Sequence, residues 1–232
     1  MPMLSLRDLA RLLTQIENGD PAADDALRAA RAHGGRAHLV GVTGAPGTGK
    51  TALAEHIASE LQRPLMIRQA SDLVSKFVGE TEQNMAKMFE EAQSESAVLL
   101  LDEADSFLRS RQRAERSYEV TEVNEMLQGM ERFGGLFICT TNLFDELDEA
   151  ALRRFTFKVK FRPLRAEQRE AMFVVEALNG EADKLTAEQR DRLAALDQLA
   201  PGDCAAVKRQ VDVLGVGFEA DEFLAQLESE HR

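Results

Sequence analysis

Gly44-Ala45-Pro46-Gly47-Thr48-Gly49-Lys50-Thr51 satisfies every fixed position of the pattern G-x-x-x-x-G-K-[S/T]. A glycine-rich turn of this kind lets successive backbone N–H groups point inward, making an anion-binding nest at a helix N-terminus. A lysine there places a point charge on the β- and γ-phosphates of a nucleotide, and the following hydroxyl can reach Mg²⁺. The turn needs a strand before it and a helix after it. Residues 38–43, HLVGVT, form a compact apolar run rich in β-formers, and residues 50–62 carry a helical pattern. Both flanks therefore suit the loop, and Gly44 through Thr51 become candidate nucleotide-binding residues.

The rest of the chain repeats the same alternation. Apolar runs recur at Leu65–Arg68, Ala97–Leu101, Leu136–Thr141 and Phe157–Phe161, with helical stretches at 50–62, 80–93 and 119–133 between them. In the last stretch Val120, Val123, Leu127, Met130 and Phe133 mark one buried stripe. Short apolar strands alternating with helices predict an α/β fold, a five-stranded parallel P-loop sheet flanked by helices. Lys158 and Lys160 alternate with apolar neighbours, as on an edge strand. After Arg162-Pro163 the strands stop, and residues 166–179, 186–196, 203–214 and 219–230 read as four helices of a small C-terminal lid domain. Two short helices are expected within the first 35 residues. The predicted organisation is a helical lead over 1–37, an α/β domain over 38–162 and the helical lid over 163–232.

Val98-Leu99-Leu100-Leu101-Asp102-Glu103 is an apolar strand that ends in two carboxylates, 52 residues after Lys50. Strand C-termini in such sheets face the ligand crevice. Asp102 would hold Mg²⁺, and Glu103 would orient and polarise an attacking water. One strand, Leu65–Arg68, falls between the loop strand and the acidic strand. That inserted strand and the Glu103 carboxylate point to a ring-forming ATPase, and no N-K-x-D guanine-reading signature occurs; Asn142-Leu143-Phe144-Asp145 lacks the lysine. ATP is thus expected over GTP, with Mg²⁺ as its companion.

Over residues 38–215 the chain resembles the AAA ATPases. Phe137-Ile138-Cys139-Thr140-Thr141-Asn142 is similar to the sensor-1 strand of that family, which implies that Asn142 helps to position the hydrolytic water. Asp148–Phe155 resembles the second region of homology, which implies that Arg153, with Arg154, reaches the γ-phosphate bound by a neighbouring subunit. The R-R-F spacing is that of the branch containing microtubule-severing and scission-complex-disassembly enzymes; the commoner second arginine position holds Thr156. Ser75–Glu82 resembles the first pore loop, with Phe77 and Val78 as the pair that grips an unfolded polypeptide; on its own, Phe77 also reads as a core residue flanking a helix. Arg109–Tyr118 falls at the second pore loop, and its arginines also suit a solvated loop. Ala200-Pro201-Gly202-Asp203 is similar to the start of the lid helix near adenine, which makes Gly202 a candidate nucleotide contact, though no arginine stands at 202–206. The family resemblance implies a nucleotide-dependent hexamer acting on a polypeptide. Residues 5–48 resemble instead the front of the accessory GTPases of cobalamin-dependent mutases. The alternative expectation is accordingly a nucleotide-dependent switch, GTPase-like, that binds one partner without threading it.

Composition narrows the partners. Among 232 residues, 40 Asp and Glu against 28 Lys and Arg give a net charge of −12, which argues against a general nucleic-acid binder. No apolar run approaches the ~18 residues of a membrane span, and no secretory signal opens the chain. Cys139 and Cys204 lie far apart, and His33, His38, His56 and His231 show no metal-ligand spacing. A cytoplasmic setting without membrane insertion is expected. The 37 residues ahead of the sheet are few for a substrate-recognition domain, so the chain is expected to be one module of a longer protein or to rely on an adaptor.

Overall fold

The computed structural model describes residues 38–77, 79–108, 117–143, 147–214 and 219–230. The expected amino-terminal helices, Val78, the Arg109–Arg116 loop and the Gly215–Gly217 break lie outside the described residues. The chain divides into two compact units. Of the described residues, one holds His38–Thr43 together with Lys50–Lys160; the other holds Gly44–Gly49 together with those from Phe161 onward.

The first unit is built on five parallel strands: β1 (His38–Thr43), β2 (Leu65–Gln69), β3 (Val98–Asp102), β4 (Leu136–Thr141) and β5 (Phe157–Lys160). They lie in the order β2-β3-β4-β1-β5. Burial explains the order. β1 and β4 are buried along their whole length and β3 up to Asp102, as continuous apolar runs require when both faces are covered. β5 alternates half-buried and exposed residues, so Lys158 and Lys160 do stand on an edge. β2, with Ile67 exposed, is the other edge. The strand that stands between β1 and β3 in space is therefore β4 and not Leu65–Gln69, which only intervenes in sequence. Order along the chain does not determine neighbours in a parallel sheet, because each crossover can skip positions.

The helices of this unit are α1 (Lys50–Leu61), α2 (Ala70–Leu73), α3 (Glu80–Ser94), α4 (Asp105–Leu108), α5 (Ser117–Arg132) and α6 (Glu149–Arg154). The short α2, α4 and α6 carry too few turns for a periodicity to show in sequence. The α5 stripe is buried at Val123, Leu127, Met130 and Phe133, joined by Met126. Phe89 of α3 packs between Phe133 and Phe137, ring centroids 5.6 and 5.5 Å away, the offset spacing that aromatic quadrupoles favour. Cys139 lies in this core, where burial raises its thiol pKa and leaves it un-ionised.

Among the described residues, the second unit carries no strand after residue 165 and is built of helices. It contains α7 (Ala166–Ala177), a 3₁₀ turn (Ala182–Lys184), α8 (Ala187–Ala195), α9 (Pro201–Leu214) and α10 (Ala220–Glu230). Phe173, Leu193, Val207, Phe223, Leu224 and Leu227 form its core. The Thr186 hydroxyl accepts from the Gln189 backbone N–H at 3.2 Å, and the Gln189 side-chain Oε1 accepts from the Thr186 N–H at 3.1 Å. That reciprocal capping box starts α8. The helix expected over 203–214 starts two residues earlier, with Pro201 as the first residue of α9. Proline is tolerated there because its missing N–H is one that a helix leaves unpaired.

Candidate functional site

Register brings the candidate residues to the C-terminal ends of the central strands. Thr43 pairs with Thr141 and Leu101 with Cys139, so Asp102 stands one step further on, level with Thr140. The Thr140 hydroxyl donates to the Asp102 carboxylate. It also accepts from the Glu103 N–H at 3.1 Å, while the Ala104 N–H donates to the Thr140 carbonyl at 2.9 Å. These bonds hold Glu103 at φ +54°, a conformation few side-chain-bearing residues adopt. The exposed Glu103 carboxylate thus leaves the end of β3 from a fixed backbone. Beside it, the Thr141 hydroxyl donates to Asp105 and accepts from the Leu143 N–H at 2.9 Å.

Lys50 opens α1, and its ammonium donates to Asn142 Oδ1 at 2.5 Å. Burial lowers its pKa below the ordinary lysine value, while the carboxylates of Asp102, Asp105 and Glu103 act in the opposite direction. A half-buried cation facing three carboxylates sits where phosphate oxygens and a divalent cation would otherwise share its field. Thr51 follows on the first turn, half-buried. Its hydroxyl and the Asp102 carboxylate are hard oxygen donors of the kind Mg²⁺ prefers, and α1 has no acidic residue in its first turn to compete with an anion.

The loop from Gly44 to Gly49 belongs to the second unit. A side chain at Gly44 would place its Cβ 2.7 Å from that of Phe161. At Gly202 a Cβ would come 2.6 Å from the Gly47 Cα, and the Gly202 N–H donates to the Gly47 carbonyl at 2.7 Å. Backbone meets backbone there, so both positions require glycine, and Gly47 at φ +76° also needs its freedom. Ala45 and Pro46 are exposed, whereas Thr48 is buried with its hydroxyl on the Ala45 carbonyl at 2.7 Å. This bond closes the turn locally.

The two arginines of α6 differ sharply. Asp148 caps that helix, accepting from the Ala150 N–H at 2.9 Å. The Arg153 side chain is 80% exposed and meets Glu149 one turn back at 3.0 Å. Arg154 instead turns onto Glu131 of α5 and the Ala150 carbonyl, at 2.9 and 2.8 Å. Phe77 is 70% exposed, which removes the core alternative for it. The Ser75 hydroxyl accepts from the Phe77 N–H at 3.2 Å and donates to Glu80 at 2.6 Å, so the turn carrying Phe77 is tied to α3.

Sequence reasoning passed over Thr140, Thr141 and Asp105. The available signal was their spacing: two hydroxyl residues directly before Asn142, and an acid three residues after Asp102.

A parallel sheet in this strand order, with a phosphate loop after β1 and paired carboxylates after β3, defines a P-loop nucleotide-binding protein. The model of the ATPase family associated with various cellular activities (AAA) matches residues 40–163, just over half of the chain. The model of the methylmalonyl-CoA mutase-associated GTPase MeaB matches residues 9–66. Spastin of Drosophila melanogaster is 31% identical over 175 residues, 72% of this chain and 23% of spastin. The AAA family ATPase y4kL of Sinorhizobium fredii is 39% identical over 115 residues, 48% of this chain and 35% of that protein. Among solved structures, the FIGL-1 AAA domain in complex with ADP aligns with TM-score 0.61 and 25% identity, covering 84% of this chain and 72% of that one. A chain of the E. coli MS115-1 HORMA:CdnC:Trip13 complex shares the fold, with TM-score 0.67 and 20% identity over 96% of this chain and 85% of its own. The chain belongs to the AAA family of ATPases. It spans about a quarter of spastin and a third of y4kL.

Proposed function

We propose that the chain is the motor module of a ring-shaped ATPase that converts ATP to ADP and phosphate and uses the cycle to remodel or thread a polypeptide. The observation that carries the reading is the meeting of Lys50, Asp102, Glu103 and Asn142 at the C-terminal ends of the central strands. Lys50 and the loop Gly44–Gly49 bind the phosphates, with Gly202 beside the loop, and Thr51 and Asp102 would hold Mg²⁺. An Mg²⁺ ion held there would supply positive charge against the transferring phosphoryl group. Glu103 takes the proton of the attacking water, and Asn142 holds that water in line. The 80% exposure of Arg153 supports its acting on the γ-phosphate of an adjacent subunit. An arginine so placed is worth roughly 10³–10⁵ in rate, so activity rises with assembly, for which a hexamer is the proposed state. The exposed Phe77, with Val78, is the proposed grip on the polypeptide. An ADP-bound structural neighbour supports an adenine nucleotide. Among the described residues no helix is long and apolar enough to cross a membrane, which fits the proposal of a cytoplasmic protein.

Mixing two inactive variants tests the shared site. Glu103→Gln loses the water-activating carboxylate and Arg153→Ala the neighbour's arginine. Mixed rings contain interfaces that join an intact Glu103 to an intact Arg153, so a fraction of wild-type turnover returns. Absence of any recovery across mixing ratios, with rings present by light scattering, would defeat the reading. The MeaB match supports a second one, a GTP-dependent switch acting as monomer or dimer. A tighter affinity for GTP than ATP, without ring formation, would favour it.

A further inference from the structure

The Asn142 side chain is exposed, yet it makes the bond to Lys50 on which the proposed site depends. Its direction must therefore come from the backbone turn that carries it. One bond of that turn is the Leu143 N–H to the Thr141 hydroxyl, 2.9 Å. A threonine hydroxyl has one proton and two lone pairs, and it rotates to suit its neighbours. Here the proton goes to the Asp105 carboxylate, which leaves a lone pair facing Leu143. Asp105 is itself well anchored, because it opens α4, whose Phe107 and Leu108 are fully buried. The chain of contacts runs from the core through Asp105 and Thr141 to the Asn142 turn and ends at Lys50.

We propose that Asp105 is a positioning residue: by orienting the Thr141 hydroxyl it sets the turn that presents Asn142 to Lys50 and to the water beside the bound nucleotide. The proposal rests on the role given to Asn142 above. It assigns Asp105 no contact with substrate, only the geometry of a residue that has one. A carboxylate acceptor is apt because bonds to a charged group are shorter and stronger than neutral ones. The hydroxyl it orients is thereby fixed against rotation.

The test compares Asp105→Ala, Thr141→Val, Thr141→Ser, Asn142→Ala and the double variant Asp105→Ala/Asn142→Ala in the full chain at one protein concentration. ATP turnover and the affinity for a fluorescent ADP are measured for each. Thr141→Val keeps the shape and removes the hydroxyl, so it remains informative if Asp105→Ala fails to fold. Asp105→Ala and Thr141→Val are expected to lower kcat on the order of 10–100-fold, the loss caused by a misplacement near 1 Å, with ADP affinity within a factor of about three. Thr141→Ser is expected to keep at least half of the turnover. The double variant is expected to be no slower than Asn142→Ala, because residues acting through one another are not additive. Losses that multiply in the double variant, or a Thr141→Ser as impaired as Thr141→Val, overturn the inference alone. Unchanged turnover in Asn142→Ala overturns the role of Asn142 and this inference with it.

Discussion

The helical unit and the strand ends that carry the candidate site treat charge in opposite ways. In the helical unit charged side chains are consumed by structure. Arg192 grips Glu228 with two bonds of 2.8 and 3.0 Å. Arg190 meets Glu170 at 2.6 Å, and Lys208 meets Glu176 at 2.7 Å. Arg169, 6% exposed, gives its guanidinium to the carbonyls of Leu164 and Ala194. At the C-terminal ends of β3 and β4, by contrast, the carboxylates of Asp102 and Asp105 are held by the neutral hydroxyls of Thr140 and Thr141. An ion pair fixes a carboxylate by neutralising it, whereas a hydroxyl fixes it and leaves its charge to act on an incoming cation or water. Within α6 both arginines are paired, but Arg154 on Glu131 is 27% exposed whereas Arg153 on Glu149 is 80% exposed.

The sharpest way to break this contrast is to exchange the fates of those two arginines. Arg153→Ala is expected to lower steady-state ATP turnover of the assembled protein by roughly 10³–10⁵ and to leave the melting temperature in place. Arg154→Ala is expected to act in the other direction, lowering stability by about 1 kcal/mol for its lost bonds to Glu131 and Ala150. Equal effects of both on turnover, at unchanged stability, would show that the burial difference does not sort their roles. Next in size is Glu103→Gln, with an expected loss of roughly 10²–10⁴ in kcat. ADP affinity should be retained, since Lys50 and the loop are untouched; a parallel loss of affinity would place Glu103 in binding instead.

Two phenylalanines extend the comparison from charge to apolar surface. Phe173 is fully buried in the helical unit and Phe77 is exposed. Phe173→Ala is expected to cost about 3–5 kcal/mol by leaving a cavity, read as a fall in the denaturant midpoint. Phe77→Ala should change stability by less than about 0.5 kcal/mol and spare basal hydrolysis. It should abolish any stimulation of turnover by an unfolded polypeptide. A destabilised Phe77→Ala protein would mean that the residue packs in the assembled state.

The legible and the illegible features separate along physical lines. β1, β3 and β4 were plain because a strand buried on both faces must be continuously apolar, and the Lys158/Lys160 alternation marked an edge for the converse reason. The phosphate loop was plain because backbone geometry there tolerates few residue types. Spatial order was not: Leu65–Gln69 precedes β3 in sequence yet lies at the far edge, and only the crossovers decide that. The Thr140–Asp102 bond follows from register, which parallel pairing does not write into either strand. Arg153 and Arg154 are adjacent, about 100° apart around a helix, and which of them meets Glu131 depends on how α6 packs on α5. Helix α9 begins at Pro201, two residues ahead of the expected 203, because the residue that breaks a helix interior also suits a helix start.

The smallest expected effect concerns the structural pair Arg192–Glu228, and it carries a sign that can be worked out. The Arg192 hydrogen bonds, opposed by partial burial, hold the Glu228 carboxyl below its ordinary value of 4.5. A carboxyl with a lowered pKa in the folded state contributes stability that is fully present above the unfolded value and lost as pH falls through the folded one. Replacing Arg192 by Met keeps the aliphatic packing and removes the partner. At pH 6 the variant should be less stable by about 0.2–1 kcal/mol, the range for exposed pairs. As pH falls through the lowered folded value, below 4.5, the two proteins should converge, because wild-type Glu228 is then protonated as well. High salt at pH 6 should narrow the gap in the same way. A difference that stays constant from pH 6 to pH 3 would mean that Arg192 acts through packing, and that charge in the helical unit is less fully consumed by pairing than the contrast with the strand ends requires.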